Sequence, residues 1–335
     1  MTNALTKAIL VAAALLVLDG RTVVAQSTDS RVPEASDTSR HRLGMVTVNG
    51  VHVPYLDWGG SGPALVFIPG MGGTAHVFDD FAPMFVDQFR VVGVTRIGFG
   101  ESDQPEREGY ELASRVAHIR ATLDALGIAR ATLIGHSLGG DEITAFAVAH
   151  PERTIGLVYL DAAIDHTAAL RWQQEFGSSY APPPLGTRVQ RATAETYREY
   201  LRGTMGVELP LGEVLAITRL DQAGLRRMRD TSKATAGIYA NTVSPEFGKV
   251  KAPVLALYSD VSAQDGFPWL QGEAFERAAS VYSGRQRPEM LIERQRFAAA
   301  VKGARIAAYP GHHYEFLRAP DATARRVREF LSSLK

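Results

Sequence analysis

The chain has 335 residues, with 36 Lys plus Arg against 36 Asp plus Glu, and no cysteine. Balanced charge excludes a dedicated nucleic-acid binder, which carries a basic excess or stripe, and an acidic chain held open by self-repulsion. The missing cysteines exclude disulfides, thiolate-bound zinc, iron–sulfur clusters and a cysteine nucleophile, while 45% apolar residues over this length suffice for a large core.

Lys7 precedes an apolar run from Ala8 to Leu18, and Val23 and Ala25 set a small-residue pattern behind it. This is the layout of a secretory signal peptide over residues 1–25, cut after Ala25. The run is shorter than the ~20 apolar residues of a bilayer span, so the expected protein is secreted or periplasmic, with no stable membrane anchor. Cleavage removes Lys7, Asp19 and Arg21, leaving 34 basic against 35 acidic residues. Residues 26–43 are polar and read as a flexible lead-in.

From residue 44 the pattern changes. Val46–Val48 and Val51–Tyr55 alternate around Asn49-Gly50, the mark of a hairpin with a two-residue turn. Short apolar runs follow at 64–68, 90–94, 131–134, 155–160, 253–258 and 305–309. Runs of this kind imply strands buried on both faces, as in a parallel sheet. Helical patterns lie between them at 112–126, 141–150, 290–301 and 322–334. The alternation predicts an α/β fold with a mostly parallel central sheet flanked by helices. Residues 166–249 break the rhythm with helical patterns at 191–202, 211–220 and 223–240 and no clear strand. They read as an inserted helical cap over the strand ends, dividing a core of residues 44–165 and 250–335.

Gly135-His136-Ser137-Leu138-Gly139 joins a strand to a helix, the context in which G-x-S-x-G lifts a serine onto a strained turn. Gly135 and Gly139 let strand and helix close together. The Leu138 N–H then faces the place where negative charge develops. A serine needs a base beside it, and a base late in the chain is expected after the last strand, where Tyr309-Pro310-Gly311-His312-His313 stands. His312, directly after the glycine, is the candidate, with His313 as its neighbour in a packing or supporting role. His136 points away from the serine, His52, His118 and His150 read as structural, and His76 and His166 are candidates for the pocket wall. Asp141 and Glu142 open the elbow helix and read first as dipole complementation, with a carboxylate hydrogen-bonding near the triad as the alternative. No H-e-x-x-H or clustered ligand spacing is present, so no metal and no cofactor are expected.

With Ile68-Pro69-Gly70-Met71-Gly72-Gly73 after the third strand, Arg96-Ile97-Gly98-Phe99-Gly100-Glu101-Ser102 after the fourth, the Ser137 elbow and Gly311-His312, the chain resembles an α/β-hydrolase over residues 44–334. The resemblance implies a second oxyanion donor, the N–H of Met71, with Pro69 standing where the family usually has histidine. It offers two places for the triad acid. The usual loop after the strand 253–258 has Ser262 at the matching position, flanked by Asp260 and Asp265. In another branch the acid follows the preceding strand, where Asp161 stands, and Asp161 is favoured.

The implied activity is hydrolysis of an uncharged carboxylic ester, thioester or lactone through an acyl-enzyme. The same triad serves carbon–carbon bond hydrolysis and cofactor-free perhydrolysis, and a non-catalytic ligand-binding relative is the third reading. Epoxide hydrolases and dehalogenases of this fold need a carboxylate where Ser137 stands. The expected partner is a small, hydrophobic, uncharged substrate, for which cap residues Trp172, Phe176, Tyr180, Tyr197, Tyr200 and Met205 offer a surface.

Overall fold

A computed structural model describes residues 36–168, 170–171 and 180–334. The expected signal peptide, most of the lead-in, and the cap residues Trp172 and Phe176 lie outside the described residues. Eight strands form one sheet: β1 (Arg42–Val48), β2 (Val51–Gly59), β3 (Ala64–Ile68), β4 (Arg90–Val94), β5 (Ala131–His136), β6 (Thr154–Leu160), β9 (Val254–Asp260) and β10 (Arg305–Pro310). Their spatial order is β1-β2-β4-β3-β5-β6-β9-β10. The β1–β2 and β2–β4 pairs are antiparallel and the rest are parallel. Asn49 and Gly50 turn the first hairpin with φ of 52° and 80°, the doubly left-handed turn that matches strand twist.

Both faces of the central strands are packed. Leu65 and Phe67 belong to one apolar cluster, while Ala64, Val66 and Ile68 belong to another on the opposite face. Helices α1 (Leu112–Ala125) and α2 (Gly139–Ala149) pack on the second of these faces, sending Val116, Ile119, Leu123, Ile143 and Phe146 into it. Each such side chain removed from water stabilises the fold by about 1.5–3 kcal/mol. The exception is β10, whose residues are exposed or half-buried throughout. It is the edge strand beside β9 alone, so its apolar sequence does not signify burial on both faces.

Between β6 and β9 lie α3 (Ala194–Met205), α4 (Leu211–Ile217) and α5 (Ser232–Ala240). Thr193 and Thr196 cap the start of α3 reciprocally, and Gly206 ends it at φ 73°. Two short strands, β7 (Thr218–Leu220) and β8 (Arg226–Met228), also pair here, where only helices were expected. Asp221 turns this hairpin by accepting from the backbone N–H groups of Ala223 and Leu225. The connection from β9 to β10 holds α6 (Gly272–Val281) and α7 (Arg287–Ala300), of which the sequence pattern marks only the second. Helix α8 (Pro320–Ser332) closes the described chain, apart from two residues. No helix among the described residues is long and apolar enough to cross a membrane.

Candidate active site

The carboxyl ends of β5, β6 and β10 deliver Ser137, Asp161 and the 311–314 turn to one edge of the sheet. Ser137 follows β5 directly and has φ 49°. Its N–H reaches the carbonyl of Leu160 at 3.3 Å, the last residue of the neighbouring strand. Asp161 comes next, itself at φ 48°. Left-handed backbone at a residue with a Cβ is strained by roughly 1–2 kcal/mol, and among the described residues only Asn49 shares it. Strain of this kind persists where surrounding structure over-determines it. Here two glycines do so: a Cβ on Gly135 would lie 2.7 Å from the Gly139 carbonyl oxygen, and one on Gly139 2.5 Å from that of Ile68.

The turn after β3 closes against the serine. A Cβ on Gly70 would sit 3.0 Å from the Ser137 Cβ. Arg96 holds this turn from below, donating from Nη1 to the Gly70 carbonyl at 2.8 Å and from Nη2 to that of Pro69 at 2.7 Å. Glu142 grips the same guanidinium at 2.6 and 2.7 Å and accepts from Arg115 at 2.8 Å. All three charges are buried. Burial alone would raise the Glu142 carboxyl, but the two guanidiniums outweigh it and hold it below its ordinary value. Glu142 is thus an internal brace for the Met71 turn, a role that dipole complementation in the first helical turn does not describe.

The two histidines of the 311–314 turn meet different partners. The His312 ring is buried. Its Nε2 donates to the Met205 carbonyl at 2.9 Å, and its Nδ1 accepts the Tyr314 N–H at 3.0 Å. Both nitrogens are engaged, and burial keeps the ring neutral by lowering its pKa. His312 therefore anchors the cap at the end of α3 and has no nitrogen left for Ser137. The neighbouring His313 instead places Nδ1 2.7 Å from Asp161 Oδ2, and its side chain is 37% exposed. The second Asp161 oxygen accepts the Ser259 N–H from β9 at 3.1 Å. The other two acids face elsewhere: Asp260 pairs with Arg294 at 2.9 Å and Asp265 with Arg318 at 2.6 Å.

His136 supports the turn that carries His313. Its Nε2 donates to the His313 carbonyl at 3.0 Å, and the two rings lie 4.6 Å apart. Burial, reinforced by the neighbouring His313, lowers its pKa well below the ordinary value of 6.5. The folded state keeps this ring neutral while the unfolded chain protonates it. Its contribution to stability is therefore complete above about pH 6.5 and is lost as the pH falls below that, at up to ~1.4 kcal/mol per pH unit. His136→Gln is expected to flatten the dependence of Tm on pH between about 6.5 and 5. Equal slopes for the variant and the parent would remove His136 from this account.

A cavity of about 160 Å³ opens over the serine, lined by Met71, Ser137, Leu138, His166, Leu170, Tyr239 and Thr242. His166 was one of the two histidines read as pocket wall; the other, His76, lies with Asp37, His41 and Asp79, a gathering the linear spacing did not announce. Asp141 turns inward and meets His166 Nδ1 at 2.7 Å, and the buried Nε2 has no hydrogen bond among the described residues. The expected cap aromatics serve otherwise. Tyr197 is cap core against Leu201 and Val214, Tyr200 and Met205 pack on that cluster, and Tyr180 stacks on Phe267 at 4.5 Å. The Met71 and Leu138 N–H groups make no hydrogen bond among the described residues.

Comparison with known proteins agrees with this architecture. The profile of the alpha/beta hydrolase fold matches residues 63–259, more than half of the chain. A fluoroacetate dehalogenase from Burkholderia sp is 27% identical over 88% of this chain and 93% of its own. A 2-hydroxy-6-oxo-6-phenylhexa-2,4-dienoate hydrolase from Burkholderia cepacia is 26% identical over 61% and 73%. Among solved structures, E-2-(acetamidomethylene)succinate hydrolase superposes with a TM-score of 0.61 at 21% identity, covering 87% of this chain and 99% of that one. The sheet order, the strained elbow and the profile match lead to one statement: this chain belongs to the α/β-hydrolase fold family.

Proposed function

We propose that this hydrolase cleaves uncharged carboxylic esters, thioesters or lactones with Ser137 as nucleophile, His313 as base and Asp161 as the acid that orients it. The observation that carries the reading is the 2.7 Å contact between His313 Nδ1 and Asp161 Oδ2, one residue beyond the strand whose end accepts the Ser137 N–H. With Nδ1–H given to Asp161, the remaining Nε2 is a proton acceptor. Ser137 Oγ attacks the acyl carbon while its proton passes to Nε2. The N–H groups of Met71 and Leu138 receive the oxyanion, each such donor being worth roughly 3 kcal/mol in the transition state. The imidazolium then protonates the leaving group, and a water deprotonated by the same nitrogen releases the acid. The small cavity suits a short acyl group. An attacking carboxylate of the kind a carbon–halogen displacement needs is missing at position 137.

Carbon–carbon bond hydrolysis is the second reading, and His166 favours it. Breaking such a bond leaves a carbanion that must be protonated on carbon. The Asp141–His166 pair puts a second imidazole on the wall of the same cavity. The Burkholderia cepacia relative named for a dienoate substrate points the same way.

A fluorophosphonate probe tests the shared chemistry. The parent chain is expected to label with one equivalent, and Ser137→Ala to lose the label. An unlabelled parent protein would return the chain to the binding-protein reading. Turnover of short-chain chromogenic esters against a 2-hydroxy-6-oxo-dienoate then separates the two reactions.

A further inference from the structure

Away from the serine, the lead-in folds back onto the core. Asp37 and His41 come from the segment before β1, and His76 and Asp79 from the short helical turn Ala75–Phe78 and its cap, just after the Met71 turn. One ligand-type atom from each lies within 4.8 Å of all the others. The individual spacings are 3.3 Å from His76 Nδ1 to Asp37 Oδ2, 2.8 Å from His76 Nδ1 to Asp79 Oδ2, 3.1 Å from His41 Nδ1 to Asp79 Oδ1 and 3.5 Å from His41 Nε2 to Asp37 Oδ2. A tetrahedron with bonds of ~2.0–2.1 Å has edges of about 3.3–3.4 Å. His41 meets the two carboxylates through different ring nitrogens and Asp79 meets the two imidazoles through different oxygens, so the His41 ring and the Asp79 carboxylate must rotate to turn one atom from each residue onto a common ion.

We propose that Asp37, His41, His76 and Asp79 form a structural site for a divalent transition metal of the zinc class, which fastens the lead-in to the turn behind the oxyanion loop.

Both imidazoles are largely buried, with side chains 9% (His41) and 17% (His76) exposed, and each faces both carboxylates at once. A glycine roofs the cluster. A Cβ on Gly212, in the first turn of α4, would lie 2.6 Å from Asp79 Oδ2, 2.8 Å from Asp37 Oδ2 and 2.8 Å from His76 Nδ1. Any side chain there would fill the space between the ligands. The donor set of two imidazoles and two carboxylates balances a dication and suits zinc over the all-oxygen preference of calcium or magnesium. An outer partner is in place as well: Trp58 Nε1 donates to Asp79 Oδ1 at 3.1 Å, as ligating carboxylates are commonly held. Through Thr74, whose N–H and hydroxyl go to Glu213 of α4, the same turn is tied to the cap. The site thus joins lead-in, oxyanion turn and cap.

The test uses the full, tag-free chain, stripped with a chelator and titrated with Zn²⁺ against a chromophoric competitor. One equivalent is expected to bind and to raise Tm, because an ion that binds only the folded state stabilises it. Co²⁺ in its place should give the intense visible absorption of four-coordinate cobalt. The double variant Asp37→Asn, His41→Gln alters only the lead-in, so circular dichroism should be unchanged while Zn²⁺ affinity falls at least 100-fold. The proposal is overturned by a parent chain that binds no equivalent, by a double variant that binds as tightly as the parent, or by the weak spectrum of six-coordinate cobalt. The exposed pair His52 and Asp103, 2.8 Å apart, serves as the control for adventitious binding: its loss should leave the equivalent in place.

Discussion

Replacing His313 by alanine is expected to lower kcat by about four to six orders of magnitude, while His312→Ala leaves it within about tenfold of the parent. The two residues are adjacent in sequence and differ only in what their ring nitrogens meet. In His313 the ring is aligned by Asp161 at 2.7 Å and stays partly open to solvent. In His312 the nitrogens are consumed by the Met205 carbonyl and the Tyr314 N–H. Removing His313 strands Ser137 without a proton acceptor, and the residual rate is what the oxyanion donors and binding supply. Removing His312 leaves two buried polar groups unpartnered, which lowers stability by about 1–3 kcal/mol. The expected signature is a double dissociation. His313→Ala keeps its Tm and loses turnover of a short-chain chromogenic ester, and His312→Ala keeps turnover and loses Tm. The reverse pattern would restore His312 as the base and leave the Asp161–His313 contact without a catalytic meaning.

The choice between these histidines marks the limit of what the sequence discloses. The strands buried on both faces, the first hairpin and the elbow are written in local pattern, because burial and turn chemistry act over a few residues. Position 313 is not. A strand continues into the 311–314 turn, and which of two consecutive side chains swings back over the sheet depends on contacts distant in sequence, the Met205 carbonyl and Asp161. Those partners are 107 and 152 residues from the histidines they bind. The same reason hides Glu142. An acid in a first helical turn reads as dipole complementation, and only its pairing with Arg96, 46 residues away, turns it into a buried brace. A detectable trace did exist: both charges sit in otherwise apolar or glycine-rich surroundings, where an uncompensated ion would be costly. The gathering of Asp37, His41, His76 and Asp79 left no trace, since two of the four come from a segment whose composition resembles a tether. The hairpin 218–228 was obscured by its brevity, three residues per strand within helical neighbours.

Asp161→Asn is the companion test, with an expected fall in kcat of about 10⁴ and little change in fold. Asparagine fits the site in shape. It tolerates the φ of 48° found here at least as well as aspartate, and its carbonyl oxygen can keep the Ser259 N–H that Oδ1 now accepts at 3.1 Å. What changes is the atom facing His313. The carboxylate oxygen at 2.7 Å accepts the hydrogen bond of Nδ1–H; an amide nitrogen there donates instead. The ring answers by moving its proton to Nε2, the nitrogen that must be bare to relieve Ser137 of its own. The catalytic set is then complete in position and wrong in tautomer, so KM should change far less than kcat. Asp260→Asn and Asp265→Asn are the comparators. Each acid is already paired with an arginine, and neither loss reaches the His313 ring, so both variants should turn over at close to the parent rate. Undiminished turnover in Asp161→Asn, together with a collapse in Asp260→Asn, would move the acid to the loop after β9. It would also require His313 to leave the carboxylate it touches in this structure.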